Sequence, residues 1–207
     1  MLATDKSPAR DRLAGSAPES SRLRQGDALL IIDVQADFLP GGSLAVANGD
    51  AVVPPLNKWI ARFAAAGRPI FATQDWHPAD HCSFRDQGGP WPPHCVAGTS
   101  GAALADALAL PADAVRVSKA TQKDADAYSG FSGTQLDRHL RQAAIRRLFV
   151  GGLATDYCVR QSVLDALRLG YEVILLRDAV RAVDVRPGDG ERAVAAMLDA
   201  GASVVEG

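Results

Sequence analysis

Residues 147–176 read RLFVGGLATDYCVRQSVLDALRLGYEVILL. Two short apolar runs, 147–151 and 172–176, flank a segment of helical length, 157–169. Gly170 stands where that helix gives way to a strand, a place suited to a residue that tolerates positive φ. Strand, helix and strand in this order form a crossover unit, which joins parallel strands. The same alternation continues outward. Further strands are expected at 28–34, 69–73, 114–118 and 202–205, and further helices at 51–66, 135–144 and 190–200, with Gly67 marking another helix end. The expected fold class is α/β: a three-layer, doubly wound, mainly parallel six-stranded sheet with helices on both faces.

Composition suits one domain of that kind. The chain has 207 residues, 47% apolar and 22% charged, so it can bury a core and is neither a disordered chain nor a coiled coil. Its apolar runs fall far short of the roughly 20 residues a membrane-spanning helix needs, and its start does not read as a secretory leader. The expected location is therefore the cytoplasm. A net charge of −2 gives nucleic acid no general reason to bind. Three cysteines, an odd number, do not suit a disulfide framework and read as packing, metal-binding or catalytic thiols. Residues 1–26 mix Ser, Pro, Gly and charges without a period, and are expected to be a flexible extension preceding a domain over 27–207.

In open α/β sheets ligands gather outside the carboxyl ends of the strands. Asp33 ends the first strand, just ahead of Phe38 and the turn Pro40-Gly41-Gly42; a loop-capping role is the competing reading. Segment 75–101 has no period, is rich in Pro and Gly, and carries three of the four histidines. A loop of this length inside a compact domain is usually functional or disordered, and its two Trp and three His argue against disorder. Asp75, His77, His81 and His94 supply one carboxylate and three imidazoles within 20 residues, a set that suits Zn²⁺, Fe²⁺ or Mn²⁺. The competing reading is surface histidines beside a Trp-Pro loop. Cys82 and Cys95 flank these histidines and rank below them as soft ligands, while His139 reads as helix surface. Cys158 opens a helix directly after a strand, where unpaired N–H groups and the helix dipole favour a thiolate and can hold an oxyanion. Most free cysteines are nonetheless small buried hydrophobes. Lys119 follows the third strand, with Lys123 as its exposed competitor. Asp33, Lys119 and Cys158 thus share one rim, where an acid can accept a thiol proton and an ammonium favours both anions.

The segments ALLIIDVQADFLPGGSL, TQDWHPADHCSF, WPPHCVAGTSGA, VSKATQ, AYSGF and GGLATDYCVRQSVLDALRLGYEVILLRDAV, taken in order over about residues 27–207, resemble the pyrazinamidase/nicotinamidase branch of the isochorismatase-like cysteine hydrolases. The resemblance implies that Asp33 is the catalytic acid/base, Lys119 the triad lysine and Cys158 the nucleophile. It implies an oxyanion hole from the N–H groups of Ala154 and Cys158, with a cis peptide before Ala154. Phe38, Trp91 and Tyr128 correspond to the aromatic walls of a pyridine pocket. One divalent metal ion per chain, Zn²⁺ ahead of Fe²⁺ or Mn²⁺, is implied on Asp75, His77 and His94, joined by His81 in some members. The implied activity is metal-dependent deamidation of nicotinamide, and of pyrazinamide, with a small molecule as partner and neither nucleic acid nor membrane; monomer and homo-oligomer both stay open. Ala36 and Ala120 depart from the residues common in the family, and remove no reacting group. The alternatives are a related cysteine hydrolase of another small amide or N-carbamoyl compound, and a catalytically silent metal-binding module.

Overall fold

The computed structural model describes residues 22–206, so most of the expected extension 1–26 lies outside the described residues. Six strands and four α-helices follow in the order β1 (Asp27–Ile32), α1 (Val53–Ala65), β2 (Ile70–Asp75), β3 (Val115–Lys119), α2 (Leu136–Gln142), β4 (Arg147–Leu153), α3 (Arg160–Arg168), β5 (Glu172–Arg181), α4 (Asp189–Asp199) and β6 (Ser203–Val205). The strands form one sheet in the order β3-β2-β1-β4-β5-β6. Every neighbouring pair is parallel. The chain winds outward from β1 through β2 to β3, then crosses to β4 and winds the other way. That reversal between β1 and β4 is the switch point at which such sheets open a crevice.

All six residues of β1, DALLII, are buried, because helices cover both faces of the sheet. Alternation sends Leu29 and Ile31 to one face, against Leu56, Trp59 and Phe63 of α1 and against Phe149. Ala28, Leu30 and Ile32 meet the other core, with Leu140 of α2, Val163 of α3 and Met197 of α4. Trp59, Phe63 and Phe149 form an aromatic cluster with ring centroids 5.3–6.4 Å apart. Each such fully buried side chain contributes about 1.5–3 kcal/mol of transfer free energy. The first turn of α1 holds Pro54 and Pro55, where a missing N–H costs nothing. Among the described residues, no helix is long and apolar enough to cross a membrane.

The elements differ from their sequence expectation mainly at the rim of the crevice. β1 stops at Ile32, since Asp33 turns the chain with φ 47. The segment expected as one helix over 157–169 divides into a π-turn, Thr155–Val159, and α3. The helix expected at 51–66 likewise begins as a 3-10 turn, Gly49–Val52. β5 runs for 10 residues, past a bulge in its pairing with β4 between Val150 and Gly152. Gly152, with φ 125, lets β4 pass close to β1: a Cβ there would lie 2.0 Å from the Ile32 carbonyl oxygen.

Candidate active site

Four adjacent strands deliver their last residues to the crevice. Asp33 follows β1, Asp75 ends β2, Lys119 ends β3, and the turn after β4 carries Ala154 and Cys158. Asp33 is fully buried. The Thr73 hydroxyl donates to its Oδ1 at 2.7 Å, which leaves Oδ2 facing the Lys119 ammonium at 3.1 Å. Lys119, itself buried, also donates to Asp75 Oδ1, to the Ala127 carbonyl at 3.0 Å and to Cys158 Sγ at 3.5 Å. One cation thus ties together the two carboxylates and the thiol.

Burial pushes the Asp33 carboxyl up to about 6, against the pull of Lys119. Burial also raises the Cys158 thiol well above its ordinary range, and Lys119 only partly offsets this. For Lys119 burial acts downward, but Asp33 and Asp75 outweigh it and hold the ammonium well above the usual lysine range. The helix start favours a thiolate, as the sequence suggested, but here desolvation prevails and favours the thiol form. The Asp33 carboxyl shares a side-chain hydrogen bond with the Cys158 sulfur.

Cys158 owes its position to the turn between β4 and α3. The Ala154 carbonyl accepts the N–H groups of Tyr157 and Val159, each at 3.1 Å, so the turn winds about residue 154. The N–H of Cys158 lies between them, at a helix start, where such groups lack an intrahelical acceptor. The Leu153–Ala154 peptide is cis.

A second group of donors lies against the first. Ligand atoms of Asp75, His77 and His94 all lie within 4.8 Å of one another. His77 Nδ1 faces the Ala120 carbonyl at 3.2 Å and His94 Nδ1 the Pro92 carbonyl at 2.8 Å. Each ring therefore carries its proton on Nδ1 and presents a bare Nε2, the arrangement of metal-binding imidazoles. Burial lowers His77 to about 4 and lowers His94 as well, which keeps both rings neutral. The donor set and its buried, neutral state fit a divalent cation. Asp33, Asp75 and Cys158 also lie within 4.8 Å of one another, but Lys119 already binds among them.

His81 stands beside this cluster, its ring 4.2 Å from that of His77, with Nδ1 on Ser83 Oγ at 2.7 Å and Nε2 3.3 Å from the Ala125 carbonyl. Both its nitrogens are engaged there. Cys95 is buried and Cys82 partly so, and neither joins a donor cluster among the described residues. Lys123 pairs instead with Asp80 at 2.8 Å, half exposed, and His139 is exposed on α2.

A pocket of about 40 Å³ opens over Cys158, lined by Phe38, Trp91 and Tyr128 together with Leu44, Val46, Tyr157 and Val183. Trp91 Nε1 donates to the Tyr128 hydroxyl at 3.0 Å, and the Tyr157 ring packs on both. The last four pocket residues were not singled out from sequence. Nor were two supports, Thr73 and Gln35. Gln35 is buried and clamps the Asp75 backbone, donating to its carbonyl at 2.8 Å and accepting its N–H at 2.7 Å. Strand alternation from Asp75 puts Thr73 on the same face, a signal that was available. Leu44 and Val46 lie in a loop without period and offered none.

Residues 27–206 match the isochorismatase domain. The nicotinamidase of Escherichia coli is 41% identical over 198 residues, which cover 86% of this chain and 93% of that protein. The pyrazinamidase of Pyrococcus horikoshii, solved in complex with zinc, superposes with a TM-score of 0.85 at 49% identity, over 88% of this chain and 99% of that one. PnC1 of L. infantum, solved in complex with nicotinate, gives a TM-score of 0.80 at 38% identity, over 88% and 93% of the two chains. Agreement of this order across nearly the whole described fold settles the lineage: the chain belongs to the isochorismatase family.

Proposed function

We propose that the chain is a metal-dependent cysteine amidase that converts nicotinamide to nicotinate and ammonia, and accepts pyrazinamide. The observation that carries this reading is the juxtaposition in one crevice of Asp33, Lys119 and Cys158 with the bare Nε2 donors of His77 and His94, under aromatic walls. The similarity to nicotinamidases and to a nicotinate-bound structure supports the choice of substrate. A divalent ion, Zn²⁺ first, held by Asp75, His77 and His94 would supply a Lewis-acid contact for the ring nitrogen.

The chain's own residues perform the acyl transfer. Phe38, Trp91 and Tyr128 hold the ring and exclude water. Asp33 Oδ2 takes the thiol proton, and the Cys158 thiolate attacks the amide carbon. The N–H groups of Ala154 and Cys158 hold the resulting oxyanion; one such donor is worth roughly 10²–10³ in rate. The C–N bond breaks as Asp33 returns the proton to the nitrogen, giving ammonia and a thioester. Water then attacks the thioester carbon while Asp33 takes its proton, the C–S bond breaks, Cys158 regains a proton and the carboxylic acid leaves as nicotinate. Lys119 stays an ammonium throughout, balancing charge on Asp33 and sulfur. An N-carbamoyl substrate without a ring nitrogen would leave the His77 and His94 donors idle. The test is release of ammonia and nicotinate in equal amounts from nicotinamide, lost on chelation and restored by Zn²⁺. Full activity after complete metal removal contradicts the metal dependence.

A further inference from the structure

The small pocket over Cys158 adjoins a much larger surface groove. An open groove of about 510 Å³ on the protein surface shares Tyr157 with the pocket. Val183 lines the pocket, whereas Val185 and Arg186 line the groove, so the segment 182–188 between β5 and α4 stands between them. Apolar burial does little to hold this wall beyond Val183, since Val185 is 65% exposed. Carboxylates hold it instead. Asp156, two residues before the nucleophile, accepts the N–H of Val183 at Oδ1 and that of Asp184 at Oδ2, both at 2.9 Å. Asp184 adopts a left-handed conformation, φ 54, and its own carboxylate accepts the N–H of Gly190 in the first turn of α4 at 2.7 Å. Residues 183–184 are thus tied both to the turn that carries Cys158 and to the start of α4.

Resting on the amidase reading above, we propose that Asp156 is a specificity-determining positioning residue, which keeps the 182–188 wall closed and restricts the enzyme to single-ring carboxamides. A cavity of about 150 Å³ takes one benzene ring. The pocket's own room, about 40 Å³, is less than one ring takes, so its walls part to admit a single ring, and a fused second ring needs further room that the adjoining groove supplies only if the 182–188 segment also yields. Loosening the clamp therefore changes which amides fit more than how fast a fitting amide reacts.

The experiment compares nicotinamide with quinoline-3-carboxamide, which keeps the relation of ring nitrogen to carboxamide and adds one fused ring. Kinetics are measured for the wild type and for Asp156→Asn, Asp156→Ala and Val183→Ala. The ratio of kcat/KM for the bicyclic over the single-ring amide should rise by about tenfold or more in the Asp156 variants. For nicotinamide the loss should appear in KM, with kcat within about threefold. Val183→Ala trims the wall without touching the clamp and should shift the ratio the same way, so the test stands even if the Asp156 variants do not fold. Folded variants in which both amides decline equally would overturn the proposal, leaving Asp156 a purely structural residue. Wild-type enzyme that hydrolyses neither amide would overturn the amidase reading and this inference with it; wild-type activity on nicotinamide with an unchanged ratio would overturn the inference alone.

Discussion

The base proposed for the reaction, Asp33, owes its raised pKa to its surroundings. Its raised value, about 6, comes first from burial, with Lys119 pulling the other way. The sign is direct: the ionised carboxylate is the working form, so activity disappears as the pH falls through about 6 and is retained above it. A kcat/KM profile for nicotinamide should lose about tenfold per pH unit on the acid side. A flat profile from pH 5 to 7 would assign the proton transfer elsewhere. Cys158→Ala should cost roughly 10⁴-fold or more in ammonia release, as loss of a nucleophile does. Cys95→Ser should leave most of kcat, because the buried Cys95 thiol belongs to neither donor cluster; equal losses would mean the wrong thiol is in the mechanism. At this scale the sequence displays the proposed reacting groups well, because Asp33, Lys119 and Cys158 each stand at or just beyond a strand end. It hides their supports. Gln35 and Asp156 act through paired hydrogen bonds to groups 27 to 40 positions away, which leave no periodic trace, whereas Thr73 could be placed by strand alternation.

The elements that position these residues are irregular where they meet the site. Apolar periodicity shows α3 and its flanking strands, yet the π-turn Thr155–Val159 holds too few residues for its different winding to be read. β5 reads as half its length because its second part, RDAVR, lacks a continuous apolar run. The close approach of β4 to β1 likewise shows in sequence only as a glycine. Gly152→Ala should cost at least about 3 kcal/mol in urea unfolding, since the new Cβ would lie 2.0 Å from the Ile32 carbonyl oxygen. A loss under 1 kcal/mol would show that the two strands can part there freely.

Across the whole molecule, stability and chemistry occupy opposite ends of the sheet. Asp27 pairs with Arg147 at the amino ends of β1 and β4, where Arg147 Nε meets Oδ1 at 2.8 Å and Nη2 meets Oδ2 at 2.6 Å, both side chains buried. Arg147→Met strands a buried carboxylate and should cost about 3–5 kcal/mol, whereas Asp27→Leu with Arg147→Leu should recover most of it. Both variants should keep wild-type kcat at temperatures where they are folded; a tenfold loss in the folded state would show that the two ends are coupled. The alternation of strands and helices makes this doubly wound architecture legible, and Arg147 reads only as the first residue of a strand, because its partner lies 120 positions away. The central claim is that the converging strand ends form a covalent cysteine amidase, and acyl transfer to Cys158 tests it most directly. Metal-loaded enzyme is mixed with nicotinamide, quenched in acid during turnover, and its peptides are weighed by mass spectrometry. A nicotinoyl thioester on the peptide that carries Cys158, absent from Cys158→Ala, is the predicted result; nicotinate produced at the wild-type rate by Cys158→Ala would contradict it.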